Sequence, residues 1–213
     1  MAPSPQHVRA HELLTADITR ASKKAKLDFR TLTDLVNTDK RYPALIPLLI
    51  DWLCDVEKRS EATDLKVLAN LRDGLSRALT TVDAVGTEAV EVLFDQFHLD
   101  PPLPPINSFA VGNALLQLAV PSDFDRMAAL AADRAQGSGR AAVLEWLIKQ
   151  GRSDGLDIVV REIADPSVRA LGIKYIRQYR PLPTGLRPSI EPYVDDPDSE
   201  VRKQAKLTLQ KLP

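Results

Sequence analysis

A short unit that recurs near the C-terminus constrains this chain more than any other feature. From Gly185 onward, an apolar segment Leu186–Val194 is followed by Asp195-Asp196-Pro197, then by Val201-Arg202, Ala205, Leu209 and Leu212. From Gly155 onward, Leu156–Ala164 is followed by Asp165-Pro166, then by Val168-Arg169, Gly172, Ile176 and Tyr179. The two glycines are 30 residues apart and the two arginines 33 apart. A period of this length, with apolar residues at helical spacing, describes a helical hairpin that cannot bury its apolar face alone. A third copy runs from Phe124–Ala132 through Gly137-Ser138-Gly139 to Arg140, Val143 and Leu147. A weaker fourth joins Glu88–Phe97 by a proline-rich connector to Phe109, Gly112, Leu116 and Ala119. A fifth begins at Ala44–Leu53 and continues, past a charged insert near 55–64, into Leu65–Leu79. Three residues after the arginine stands Val143, Gly172 or Ala205, and seven after it Leu147, Ile176 or Leu209. Those positions share a helix face, where a small residue admits a neighbouring helix and a branched one fills the contact.

No stretch alternates apolar and polar residues with the Val, Ile, Thr and aromatic content of a strand, so an all-α chain is expected. Asp196-Pro197, Val201-Arg202 and Ala205 resemble the core motif of HEAT repeats, and Asp165-Pro166-Ser167-Val168-Arg169 is similar with a turn two residues shorter. Further back, Tyr42-Pro43-Ala44 with Pro47-Leu48-Leu49, Arg77-Ala78-Leu79, Val111-Gly112-Asn113-Ala114-Leu115 and Gly139-Arg140 occur in an order that resembles small bacterial HEAT-repeat proteins. The likeness covers roughly Leu27 to the C-terminus, with Phe109 and Gly139 departing from the motif. It implies a right-handed α-α superhelix of about five HEAT-like hairpins, an armadillo-like solenoid that serves as an interaction scaffold with no shared reaction. Residues 1–41 are expected to form an N-terminal helical cap over residues 42–213, in one continuous domain. Ser4-Pro5 supplies the cap and first helical residue of its first helix, and a second helix is expected over Phe29–Asn37.

Charge excludes little. The chain has 28 basic and 29 acidic side chains, a net charge of -1, which argues against nucleic acid as a main partner. Only residues 42–100 are lopsided, with 5 basic and 11 acidic side chains. One cysteine, Cys54, rules out an intrachain disulfide. With no signal peptide and no apolar run long enough to span a bilayer, a cytoplasmic location is expected.

Two sets of residues stand out as sites. Asp165 with Arg169, and Asp196 with Arg202, fall across inter-helix turns, and in HEAT repeats such pairs form a structural ladder. Arg77, Asn113 and Arg140 each interrupt or open an apolar second helix. On the concave face of a solenoid they would form a row able to grip carboxylates or exposed backbone of a protein or peptide. The competing reading bonds them to helix ends inside the stack. Trp52 and Trp146 read as core, and Cys54 as a buried, inert thiol. His7 and His11 are spaced four apart without a third ligand, so no metal is expected. Gly137-Ser138-Gly139 reads as a hairpin turn, and Pro101-Pro102-Leu103-Pro104-Pro105 as a stiff connector. The expectation is therefore a non-enzymatic protein- or peptide-binding scaffold without cofactor, a monomer rather than a homodimer. The rivals are a toxin-neutralising, immunity-type inhibitor and, on analogy with other HEAT-like proteins, a DNA glycosylase or a chromophore lyase.

Overall fold

The computed structural model describes residues 3–213 and contains, among them, thirteen α-helices and no strand. The chain divides into two compact units, Met1–Ala119 and Val120–Pro213. The N-terminal helices pack into the first unit.

The first unit opens with α1, Pro5–Lys24. Ser4 Oγ accepts the His7 N–H, and Pro5 takes a position whose missing N–H costs nothing. Ala10, Leu14, Ile18 and Ser22 repeat every four residues and form its buried stripe. Helix α2 is only Leu32–Val36, started by a capping box between Thr31 and Asp34. Then come α3 (Ile46–Cys54), α4 (Val56–Ser60), α5 (Leu65–Leu79), α6 (Ala89–Asp95) and α7 (Pro105–Leu118). The charged insert is therefore itself helical over α4, which ends at Glu61 in a left-handed conformation (φ 57°). Helix α1 packs on α3, α4 and α5, while α5 packs on α3 and α7.

The second unit comprises α8 (Phe124–Ala132), a 3-10 segment Arg134–Arg140, α9 (Ala141–Lys149), α10 (Ser153–Glu162), α11 (Arg169–Ile176), α12 (Arg187–Ile190), a 3-10 segment Glu191–Asp195 and α13 (Ser199–Leu209). Helix α8 packs on α9 and α10, α9 on α11, and α11 on α10 and α13. Second helices thus lie against second helices along the unit. The helix expected over Leu186–Val194 is split, because Pro192 has no N–H to return to the preceding turn. Gly172 is the small residue at a tight crossing, where a Cβ would stand 2.8 Å from Ile163 Cγ2. Among the described residues no helix is long and apolar enough to cross a membrane.

Candidate functional site

The motif arginines of the second unit are consumed by its own backbone. Arg140 follows the Gly137 turn, where φ is 51°, and enters the protein completely, with 0% exposure. Its Nη1 donates to the Ala131 carbonyl at 2.6 Å and to Glu162 Oε2 at 2.9 Å, and its Nη2 donates to Asp165 Oδ2. Arg169 repeats the pattern one hairpin on. It donates to the carbonyls of Ile163 (3.0 Å) and Ala164 (2.8 Å) at the end of the preceding helix, and to Asp196 Oδ2 at 2.9 Å. Arg202 donates to the carbonyls of Asp196 (2.7 Å) and Pro197 (2.8 Å). Arg140 and Arg169 satisfy carbonyls that a helix C-terminus leaves without partners, and Arg202 those of the turn after the second 3-10 segment. Two of them also reach the aspartate of the next turn. Those aspartates fix their turns in the same way: Asp165 Oδ1 accepts the Ser167 N–H and Asp196 Oδ1 the Asp198 N–H, both at 2.9 Å.

The rungs are therefore Arg140–Asp165 and Arg169–Asp196, each joining one hairpin to the next. Arg140 thus follows the competing reading, bonded to a helix end inside the stack, and has no place in a concave row. A guanidinium with no exposed surface and three acceptors inside the protein offers nothing to a partner. Burial pushes the carboxyls of Glu162 and Asp165 up. Hydrogen bonds outweigh it and hold both below the usual carboxylate range: from Arg140, Arg134 and Arg161 at Glu162, and from Ser167 and Arg140 at Asp165.

Arg77 and Asn113 belong to the first unit. Arg77 is half-exposed and bound to Asp73 one turn earlier, Nε to Oδ2 at 2.6 Å. It borders a cleft of about 410 Å³ with His11, Thr15, Thr33 and Asn70. The His11 imidazole is pushed down by burial and by His7, whose ring centroid lies 4.3 Å away. Asn113 is half-buried on α7 and does not line that cleft. Arg140, buried in the second unit, is thus absent from the expected row Arg77–Asn113–Arg140.

A different surface is open. Asp64 caps α5, its Oδ1 accepting the N–H groups of Lys66 (2.8 Å) and Val67 (3.3 Å). Gln6 Oε1 holds the preceding turn through the N–H groups of Thr63 (2.9 Å) and Asp64 (3.0 Å). At the facing end of α7, Pro105 starts the helix, and Asn107 Nδ2 donates to the Ala69 carbonyl of α5 at 3.1 Å. These anchors frame a groove of about 460 Å³ between α5 and the proline-rich connector, walled by Leu65, Leu68, Leu99, Leu103 and Ile106. Leu65 is 60% exposed and Ile106 68% exposed. The floor is polar but occupied. Arg72, 4% exposed, donates to Gln96 Oε1 and to Glu57 Oε1, each at 2.6 Å. Burial raises the Glu57 carboxyl, but its own N–H and Arg72 bring it below its ordinary value, so it is a carboxylate at neutral pH.

The chain matches no known protein family, no curated protein and no solved structure. The site must therefore be read from its own chemistry. Among the described residues no group of three or more His, Cys, Asp or Glu is placed to hold a metal ion. Trp52 is buried, its Nε1 donating to Asp17 Oδ2 at 3.1 Å, and Trp146 is buried beside Phe124. Cys54 is exposed, against expectation. The buried stripe of α3 runs through Ile46, Leu49, Ile50 and Leu53, and Cys54 lies one step off it.

Sequence reasoning missed Leu65, Ile106 and Arg72. For Arg72 a signal existed: it sits at helical spacing with Leu68, Leu75 and Leu79, inside the apolar stripe of α5.

Proposed function

We propose that this chain is a non-enzymatic binding module, built of HEAT-like hairpins and acting as a monomer, whose groove beside the proline-rich connector takes an apolar segment of a partner protein. The observation that carries this reading is the exposure of Leu65 and Ile106 at the mouth of an apolar-walled groove. Large aliphatic side chains at such exposure, grouped round one concavity, mark an interaction surface rather than scattered surface residues. The prolines of the wall add rigidity, so little ordering entropy is lost when a segment docks. The hydrogen bond from Asn107 to Ala69 keeps the two helices at fixed separation, which makes the groove preformed. A cytoplasmic location belongs to the same reading, since the only cysteine carries an exposed free thiol.

The test is selection of displayed peptides on the purified protein, followed by affinity measurement on the Leu65→Asp/Ile106→Asp variant. Both positions are on the surface, so the fold survives the change. Selected peptides are expected to carry bulky apolar anchors and to bind the variant at least about tenfold more weakly, since each buried aliphatic side chain contributes about 1.5–3 kcal/mol. Equal binding to both proteins would remove the groove from the function. Sedimentation showing a dimer that the same variant dissociates would assign the surface to self-association instead.

A further inference from the structure

A second face of the first unit, on α3 and the start of α6, has its own chemistry. Ile46 and Ile50, 2% and 8% exposed, form the floor of another groove, of about 440 Å³, with Pro43 and Pro47 as walls and Asp51 and Glu88 on its rim. Pro47, Ile50, Asp51 and Cys54 follow one another at helical spacing, so the exposed thiol lies on the same face of α3 as the groove. On α6, Glu88 precedes the helix and Asp95 ends it. Burial raises the Cys54 thiol, and the negative charges of Asp55, Asp51, Asp95 and Glu88 raise it further.

Few of these charges are answered. Asp51 takes Arg59 at 3.3 Å. Asp83, also lining the groove, is fully buried and bound by Arg41 and by the Tyr42 N–H at 2.6 Å, so it is spent. Asp55, Glu88 and Asp95 have no ion-pair partner among the described residues, and they stand in the segment 42–100 that carries 11 acidic and 5 basic side chains. Unpaired like charges beside an apolar concavity repel one another in the free protein, and cations brought by a partner relieve that repulsion.

We propose that this face is a second docking site, which takes a basic amphipathic segment of a partner protein, with an apolar side chain over Ile46 and Ile50 and lysine or arginine side chains against Asp55, Glu88 and Asp95. Charge complementarity selects the occupant. An acidic segment, a nucleic acid or an anionic membrane surface is repelled by the same carboxylates.

The experiment uses the full chain and a fluorescein-labelled helical peptide of leucine and lysine, with a control in which glutamate replaces every lysine. By anisotropy, the lysine peptide is expected to bind and the glutamate peptide not to. Raising the salt from about 0.05 to 0.5 M is expected to weaken binding about tenfold, as the screening length shrinks. The Asp55→Asn/Glu88→Gln/Asp95→Asn variant is expected to lose about tenfold in affinity, while the Leu65→Asp/Ile106→Asp variant binds as wild type does. A control on the free protein reads the field directly. In the triple variant, alkylation of Cys54 by iodoacetamide at pH 8 should be about two- to fivefold faster, because removing nearby negative charge favours the thiolate. The proposal is overturned if both peptides bind alike, if neither binds, or if Cys54 reacts no faster in the triple variant. It is also overturned if binding is lost in Leu65→Asp/Ile106→Asp but kept in the triple variant. That last result would move the peptide to the groove of the proposed function, so the two readings fail separately.

Discussion

In residues 120–213 neighbouring hairpins are tied by one device used twice, an arginine that satisfies the end of the helix before it and reaches the aspartate of the next turn. In residues 3–119 each tie is different. Tyr42 donates its hydroxyl to the Ala78 carbonyl at 2.7 Å, Trp52 its indole N–H to Asp17, and Asn107 its amide to Ala69. Arg72 bridges Glu57 and Gln96. A repeated tie demands equal units and places its charges inside. Unlike ties tolerate inserts such as α4 and the proline-rich connector, and it is beside these inserts that apolar walls stay uncovered. The repeated charges of the second unit contribute to its stability, and on the proposed reading recognition falls to the irregular surface of the first.

The strongest challenge to that division is Arg140→Met. It takes from Asp165 its cation, from Glu162 one of three and from the Ala131 carbonyl its guanidinium donor, and a broken buried pair costs about 3–5 kcal/mol. Amide hydrogen exchange, which reads each unit separately, should show protection lost in residues 120–213 and kept in 3–119. The pH dependence checks the same rung. The folded values of Glu162 and Asp165 are depressed, so their stabilisation is complete above the unfolded values of about 4 and is lost as pH falls through the folded ones. In Arg140→Met, Arg134 and Arg161 still hold Glu162, but Asp165 loses its cation. The variant should therefore lose less stability than wild type between about pH 4 and 2, and the gap between them should narrow.

Arg72→Met is the matching experiment in the first unit. Here the carboxylate partner is outward, since the Glu57 side chain is 58% exposed and can return to water. The loss is the donor to Gln96 Oε1 and the long contact of Arg72 Nη1 to the Leu53 carbonyl at 3.5 Å, about 2–3 kcal/mol. A deficit equal to that of Arg140→Met would mean that the two buried arginines do the same work.

How far the sequence could be read follows the same line. The turn Asp-Pro with Val-Arg behind it was legible at 165–169 and 196–202, because turn chemistry and helical period are local. That Arg140 would take the rung to Asp165 was not, because Gly139-Arg140 departs from the Val-Arg motif and packing between hairpins leaves no trace in spacing. Arg140 looked like a polar interruption of an apolar helix. Its burial is decided by acceptors at 131, 162 and 165, none of which its own helix supplies. Leu65 and Ile106 look like core residues by type, yet each sits in the first turn of its helix, beyond the reach of the helix packed against it.

Gly172→Ala probes the crossing rather than the charge. The added methyl meets Ile163 Cγ2 at 2.8 Å, with Leu144 Cδ1 at 3.8 Å behind it. Overpacking of this kind costs about 1–3 kcal/mol, and the better helix propensity of alanine returns up to about 1. A net loss of about 1–2 kcal/mol in urea unfolding is expected. No loss would mean that α10 and α11 separate freely, and the crossing would not be part of what fixes the hairpin.

The smallest effect sharpens the contrast most. Arg77 and Arg140 both open with Arg-Ala in an apolar helix, and the sequence treats them alike. Arg77 is half in solvent and paired one turn back with Asp73, a geometry that contributes about 0.3–0.5 kcal/mol and weakens with salt. Arg77→Ala should therefore change the urea midpoint barely at low ionic strength and not at all in 0.5 M salt, where surface pairs are screened to about 3–5 Å. If it destabilised the chain as Arg140→Met does, exposure would not be what separates the two arginines. The assignment of buried charge to structure and open surface to recognition would then lose its basis.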